Sequence, residues 1–146
     1  MKIKINSIDY SGSIVDGPGL RTVLFVQGCE KKCKGCHNQG AWDYSKGTEI
    51  DIDDLVEELN KKCLNKKLTI SGGEPLHQYE SLLVLLNKLQ DYNLILYTGN
   101  EMEEVPKTIL EYLDYIKVGR FIEEEKGSTI PYVGSKNQQF IRLKER

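Results

Sequence analysis

The chain has no apolar run near the roughly 20 residues that a membrane-spanning helix needs, so no membrane partner is expected. Its opening, "MKIKINSIDYSGSIVDG", alternates apolar and charged side chains and lacks the continuous apolar stretch of a signal peptide. A cytoplasmic location is the resulting expectation. There is also no excess of basic residues: 20 Lys and Arg against 22 Asp and Glu leave a formal net charge of −2, which argues against a nucleic-acid partner. Internal repeats, low-complexity tracts and linker-like stretches are missing as well. With 146 residues, 39% hydrophobic and 29% charged, the composition fits one globular domain over residues 1–146. Cysteine is scarce, four in all, yet three of the four crowd into "GCEKKCKGC". In a reducing compartment clustered thiols hold a metal or do redox chemistry more often than they form disulfides, and three is an odd number for pairing.

Short β-branched or aliphatic runs are followed by amphipathic helical patterns, an α/β rhythm. "KIKINSIDY" alternates like a half-exposed strand, and "RTVLFVQ" is dense enough for a strand covered on both faces. "DIDDLVEELNKKC" predicts a helix, with carboxylates at its start, lysines at its end and Leu55, Val56 and Leu59 on one stripe. "KKLTIS", "NLILYTG" and "DYIKVGRF" predict further strands, "YESLLVLLNKLQDY" and "EEVPKTILEYL" further helices, the latter with Pro106 in its first turn. "EEEKGSTIPYVGSKN" reads as a loop and "QQFIRL" as a closing strand. The expected fold is α/β, a partial or open βα barrel with about four core parallel strands plus strands at each end. "QGC", "SGGEP", "YTGN" and "VGRF" all fall at strand ends, the edge where such sheets collect their ligands.

Cys29, Cys33 and Cys36 form CxxxCxxC on the loop after the first core strand, with Gly28 and Gly35 easing the wrap around one centre. Soft thiolates suit zinc or an iron–sulfur cluster. Structural zinc takes four protein ligands, and recruiting His37 beside Cys36, or the distant Cys63, is awkward. A redox CxxC would leave Cys29 unexplained. In a 4Fe-4S cluster, three cysteines leave one iron open to another ligand. Cys63, at a helix end, reads as an ordinary free cysteine. "SGGEP", "TGN" and "DGPG" each admit a plain turn reading beside a functional one.

Taken in order, CxxxCxxC and "SGGEPL" resemble the signature of the radical S-adenosylmethionine superfamily. "DGPGLR", "GCHN", "LYTG" and "GSKNQ" are similar to its short glycyl-radical-activating branch, the anaerobic ribonucleoside-triphosphate reductase activating family. The resemblance covers nearly the whole chain. It implies a radical S-adenosylmethionine type of barrel and an oxidoreductase that cleaves S-adenosylmethionine reductively at one 4Fe-4S cluster, giving a 5′-deoxyadenosyl radical that takes hydrogen from a glycine of the partner reductase. Cys29, Cys33 and Cys36 would bind the metal. Gly35, Cys36, His37, Asn38, Gly72, Gly73, Glu74, Thr98 and Asn100 would contact the cofactor, the Glu74 carboxylate complementing an ammonium. Asp16, Gly17 and Arg21 would meet the partner's glycine-bearing segment, while Lys31, Lys32 and Lys34 either solvate the cysteine loop or meet a flavodoxin-like electron donor. Other activases, such as that of pyruvate formate-lyase, a small-molecule radical enzyme such as a carboxy-deazaguanine synthase, and a zinc-binding interaction module are the alternatives. One departure is Val118 in "KVGRF", where the branch often carries Asp. The chain also lacks the cysteine-rich insert that holds extra clusters in some activases.

Overall fold

A computed structural model describes residues 1–13, 16–28, 47–126, 132–133, 135 and 137–144. Seven strands form one sheet in the order β3-β1-β2-β4-β5-β6-β7. They are β1 (Lys2–Ser13), β2 (Arg21–Val26), β3 (Thr48–Asp51), β4 (Lys67–Gly72), β5 (Asn93–Tyr97), β6 (Tyr115–Val118) and β7 (Gln139–Arg142). The middle four, β2, β4, β5 and β6, run parallel, while β1, β3 and β7 join antiparallel. This is the expected set of four parallel strands with end strands, in an open sheet.

Strand alternation divides the sheet into two unlike faces. Leu24, Val26, Leu68, Ile70, Leu94, Leu96, Ile116 and Val118 share one buried cluster with Leu55 and Leu59 of helix α1 (Ile52–Lys62) and Leu82, Leu85 and Leu86 of helix α2 (Tyr79–Lys88). The intervening residues, Val23, Phe25, Thr69, Ser71, Ile95, Tyr97, Tyr115 and Lys117, belong to the opposite, inner face, where polar and aromatic side chains replace leucine. Each side chain buried on the helical face contributes about 1.5–3 kcal/mol to folding.

Helix α1 forms where its charges and cap predict. The Asp51 carboxylate accepts from the Asp53 and Asp54 amides, Asp53 and Asp54 occupy the positive end, and Lys61 and Lys62 the negative end. Cys63 closes it, buried and free, its thiol 3.5 Å from the Lys67 carbonyl oxygen.

Three elements differ from expectation. "TEID" forms β3, a short strand ahead of α1 that the carboxylate-rich helix start concealed. The helix expected in "EEVPKTILEYL" shrinks to one turn, α3 (Lys107–Leu110). Pro106 caps it from an extended conformation instead of lying inside its first turn, and the residues before it form a separate 3-10 turn at Met102–Glu104.

Candidate functional site at the carboxyl edge of the sheet

Strand β4 ends at Gly72, whose φ is +105° and where a Cβ would lie 2.4 Å from the Val26 amide nitrogen. Only glycine fits so close an approach of two backbones. Past it, the Gly73 amide donates to the Val26 carbonyl at 2.9 Å and the Glu74 amide to the Gly28 carbonyl at 2.7 Å. The "GGE" backbone therefore prolongs the pairing of β4 with the chain leaving β2. Gly28 is the last described residue before the cysteine segment, so the base of that segment is bolted to Glu74. Cys29, Cys33, Gly35, Cys36, His37 and Asn38, with Lys31, Lys32 and Lys34, lie outside the described residues.

Glu74 is 1% exposed. Its Oε1 accepts from the Gly99 amide at 2.7 Å, its Oε2 from the Leu76 amide at 3.0 Å, and the Thr98 hydroxyl is 2.9 Å from both oxygens. The carboxylate thus caps the 3-10 turn Pro75–Gln78 and ties it to the loop after β5. All these partners are neutral, and among the described residues no cation pairs with it. A buried carboxylate held only by neutral donors keeps an uncompensated negative charge, a setting that favours a cationic ligand.

From Thr98 the bonding runs on along the edge. Its hydroxyl accepts from the Asn100 amide and side chain, both at 3.1 Å. Its own amide donates to the Lys117 carbonyl, and the Gly119 amide donates to the Asn100 carbonyl at 2.9 Å. Beyond β6, "GSKNQ" supplies a clamp. Gln138 donates to the Gly119 carbonyl at 3.0 Å, Asn137 to the Arg120 carbonyl at 2.8 Å, and the buried Ser135 hydroxyl accepts from the Ile122 amide. Gly72, Gly73, Glu74, Thr98 and Asn100 are thereby brought to one edge. The clamp role of Ser135, Asn137 and Gln138 escaped the sequence, where "GSKNQ" stands as a motif of the resemblance with no structural role attached.

Asp16, Gly17 and Arg21 lie elsewhere, toward the amino ends of the parallel strands. Arg21 is 1% exposed, and its five N–H groups reach Thr69 Oγ1, Pro18 O, Asn93 Oδ1, Leu68 O and Asn93 O within 3.2 Å. Burial lowers its guanidinium to about 10, which still leaves it charged at neutral pH. A guanidinium has five donors, and all of those of Arg21 are engaged inside the chain. What Arg21 fixes is the "DGPG" loop. That loop crosses the inner face: the Asp16 carbonyl accepts from Thr69 at 2.6 Å, and a Cβ on Gly17 would meet Ile95 Cδ1 at 2.3 Å.

Tyr97, at the end of β5, was not singled out by the sequence beyond its place in "LYTG". Strand alternation could have found it, since it shares the inner face with Ile95. The Lys117 ammonium lies 4.1 Å from its ring centroid.

The model of the 4Fe-4S single cluster domain family matches residues 15–141. Curated relatives align over almost their whole length. An anaerobic ribonucleoside-triphosphate reductase-activating protein of Haemophilus influenzae is 34% identical over 92% of this chain and 96% of its own. The protein of the same name from Escherichia coli K12 is 30% identical over 92% and 96%, and that of enterobacteria phage T4 is 32% identical over 89% and 88%. Among solved structures, QueE from Escherichia coli superposes with a TM-score of 0.55 at 18% identity, over 80% of this chain and 69% of its own, so the two share a fold. The chain belongs to the family of anaerobic ribonucleoside-triphosphate reductase-activating proteins.

Proposed function

We propose that this chain installs a glycyl radical on an anaerobic ribonucleoside-triphosphate reductase, using one 4Fe-4S cluster and S-adenosylmethionine. The observation that carries the reading is the join between the two motifs: "GGE" is hydrogen-bonded to Gly28, at the root of the three-cysteine segment. A cluster held by Cys29, Cys33 and Cys36 would therefore stand beside the carboxyl edge, and three thiolates suit a four-iron cluster with one iron open. Bound together there, cluster and S-adenosylmethionine supply a one-electron cleavage of the sulfonium–carbon bond, and with it the means of taking one hydrogen atom.

The chain's own residues bind and orient. Gly72 and Gly73 present main chain without side-chain obstruction, and the Glu74 carboxylate, lacking a cation among the described residues, offers its charge to the cofactor's ammonium. Thr98 and Asn100 hold Glu74 and the adjoining loop in place. Gly35, His37 and Asn38 complete the cofactor's surroundings from the cysteine segment. Asp16 and Gly17 border the inner face, where the partner's glycine-bearing segment enters. Lys31, Lys32 and Lys34 would receive an acidic, flavodoxin-like donor. One domain over residues 1–146, acting in the cytoplasm, completes the reading.

Anaerobic reconstitution with iron and sulfide tests it. Expected are iron–sulfur absorption, reductive formation of 5′-deoxyadenosine from S-adenosylmethionine, and a glycyl doublet by electron paramagnetic resonance once the reductase is added. Cys36→Ala should lose all three and Cys63→Ala none. Absence of the cluster or of 5′-deoxyadenosine in the unsubstituted protein would sink the reading.

A further inference from the structure

Tyr97 carries the one hydroxyl on the inner face that is buried without a hydrogen-bond partner among the described residues. The residue is 7% exposed. A buried hydroxyl left unpaired costs about 1–3 kcal/mol, and Phe would bury the same ring without that cost. Unsatisfied buried donors in folded proteins call for a reason. A ligand that supplies an acceptor is one.

The surroundings define which ligand. Tyr97 is one position inside the carboxyl edge, beside the Thr98 that bonds Glu74. The charged groups that act on its hydroxyl are not those of the Glu74 loop but Asp16 and Arg21, which flank "GPGL". Burial, reinforced by Asp16, holds the phenol well above its ordinary range, so it stays a neutral donor at any working pH. Asp16 and Arg21 act on the hydroxyl in opposite senses, so its donation does not depend on a charged acceptor. A neutral carbonyl suits such a donor. A peptide segment drawn into a buried site must also find donors for its main-chain carbonyls, and one built around glycine lets the backbone come close.

We infer that the Tyr97 hydroxyl donates a hydrogen bond to a main-chain carbonyl of the partner's glycine-bearing segment, making Tyr97 a substrate-binding residue that fixes the glycine's position on the inner face. The inference rests on the proposed function. It separates two ends of the site: Glu74, Thr98 and Asn100 serve the cofactor, and Tyr97, with the "DGPG" loop, serves the peptide.

Tyr97→Phe removes the hydroxyl alone and tests the assignment in the reconstituted protein with the full reductase. A net contribution of about 0.5–1.5 kcal/mol for one hydrogen bond corresponds to roughly a two- to twelvefold change. The KM for the reductase, followed by glycyl-radical formation, should rise by about that factor. The dissociation constant for S-adenosylmethionine should move less than twofold, and the melting temperature of the free protein should hold or rise. An unchanged KM overturns the inference and leaves the functional reading standing. A loss of S-adenosylmethionine affinity as large as the change in KM also overturns it, by assigning the hydroxyl to the cofactor. If the unsubstituted protein forms no radical on the reductase at all, the functional reading fails and the inference with it.

Discussion

Two buried charged side chains at opposite ends of the parallel strands divide the labour of this site. Arg21 is satisfied five times over by groups of its own chain, two of them from Asn93, and so acts as a rivet between the starts of β2, β4 and β5. Arg21→Met should strand three backbone carbonyls and the Asn93 side chain, lowering stability by about 3–5 kcal/mol as measured by denaturant unfolding. Arg21→Lys, with three donors in place of five, should fall between the two. Glu74 differs because its partners are all neutral. Glu74→Gln keeps the volume and removes the charge, with one of the two amide donors at Gly99 and Leu76 losing its acceptor. The fold should therefore persist at somewhat lower stability while S-adenosylmethionine binds about tenfold more weakly, a loss of about 1.4 kcal/mol. Calorimetric titration of the reconstituted protein would measure it, and an unchanged affinity would remove Glu74's charge from the cofactor's account. At Gly72, any side chain must enter the backbone of Val26. Gly72→Ala should cost about 2–4 kcal/mol of stability, read in the same unfolding experiment, and loosen the root of the cysteine segment at Gly28.

Elements matter here through how their ends are tied. The ends of β2, β4, β5 and β6 are laced by Glu74, Thr98 and Asn100, and the "GSKNQ" clamp continues the lacing to β7. Gln138→Ala frees the Gly119 carbonyl and the Ser135 amide together. Amide hydrogen exchange over 119–122 should quicken by about tenfold or more, whereas exchange in α1 should not change. Uniform acceleration throughout the chain would show that the clamp supports the whole sheet instead.

The four parallel strands, α1 and α2 were legible because each combines a dense apolar run or a full helical stripe with clear end signals. β3 was not, since four residues pairing only with β1 leave almost no periodicity, and they merge with the carboxylates that open α1. The reduced α3 follows from local chemistry, because Pro106 cannot donate the amide needed to continue the preceding 3-10 turn. Of the site, the grouping of "GGE" with "TGN" at one edge could be read from strand ends. The inward turn of Arg21 could not, because whether a guanidinium faces a partner or its own chain depends on contacts 47 and 72 residues away.

The whole molecule is one sheet with a leucine-rich face under helices and an inner face of mixed polar and aromatic character. Tyrosines are built into both. Burial raises Tyr92 to about 12, and Tyr10 and Tyr97 are pushed higher still, again chiefly by burial. Unfolded tyrosine ionises near 10. Above that pH the unfolded chain releases protons that the folded chain retains, so stability is full below about pH 10 and falls as pH rises toward 12. The tyrosinate absorption of these three rings, beyond that of the five other tyrosines, should therefore appear together with loss of helical circular dichroism in an alkaline titration. Ionisation of all eight tyrosines near 10 with the helices intact would contradict the burial of these rings.

No helix among the described residues is long and apolar enough to cross a membrane. On the proposed function, a glycine of the reductase gives up a hydrogen atom at the carboxyl edge of the sheet. Transfer of label tests this most directly: the reductase is prepared with deuterium on its glycine α-carbons and activated anaerobically by the reconstituted protein with S-adenosylmethionine and a reductant. Deuterium is expected in the 5′-methyl group of the 5′-deoxyadenosine, together with a glycyl signal on the reductase. Unlabelled 5′-deoxyadenosine formed in step with reductase activation would contradict it.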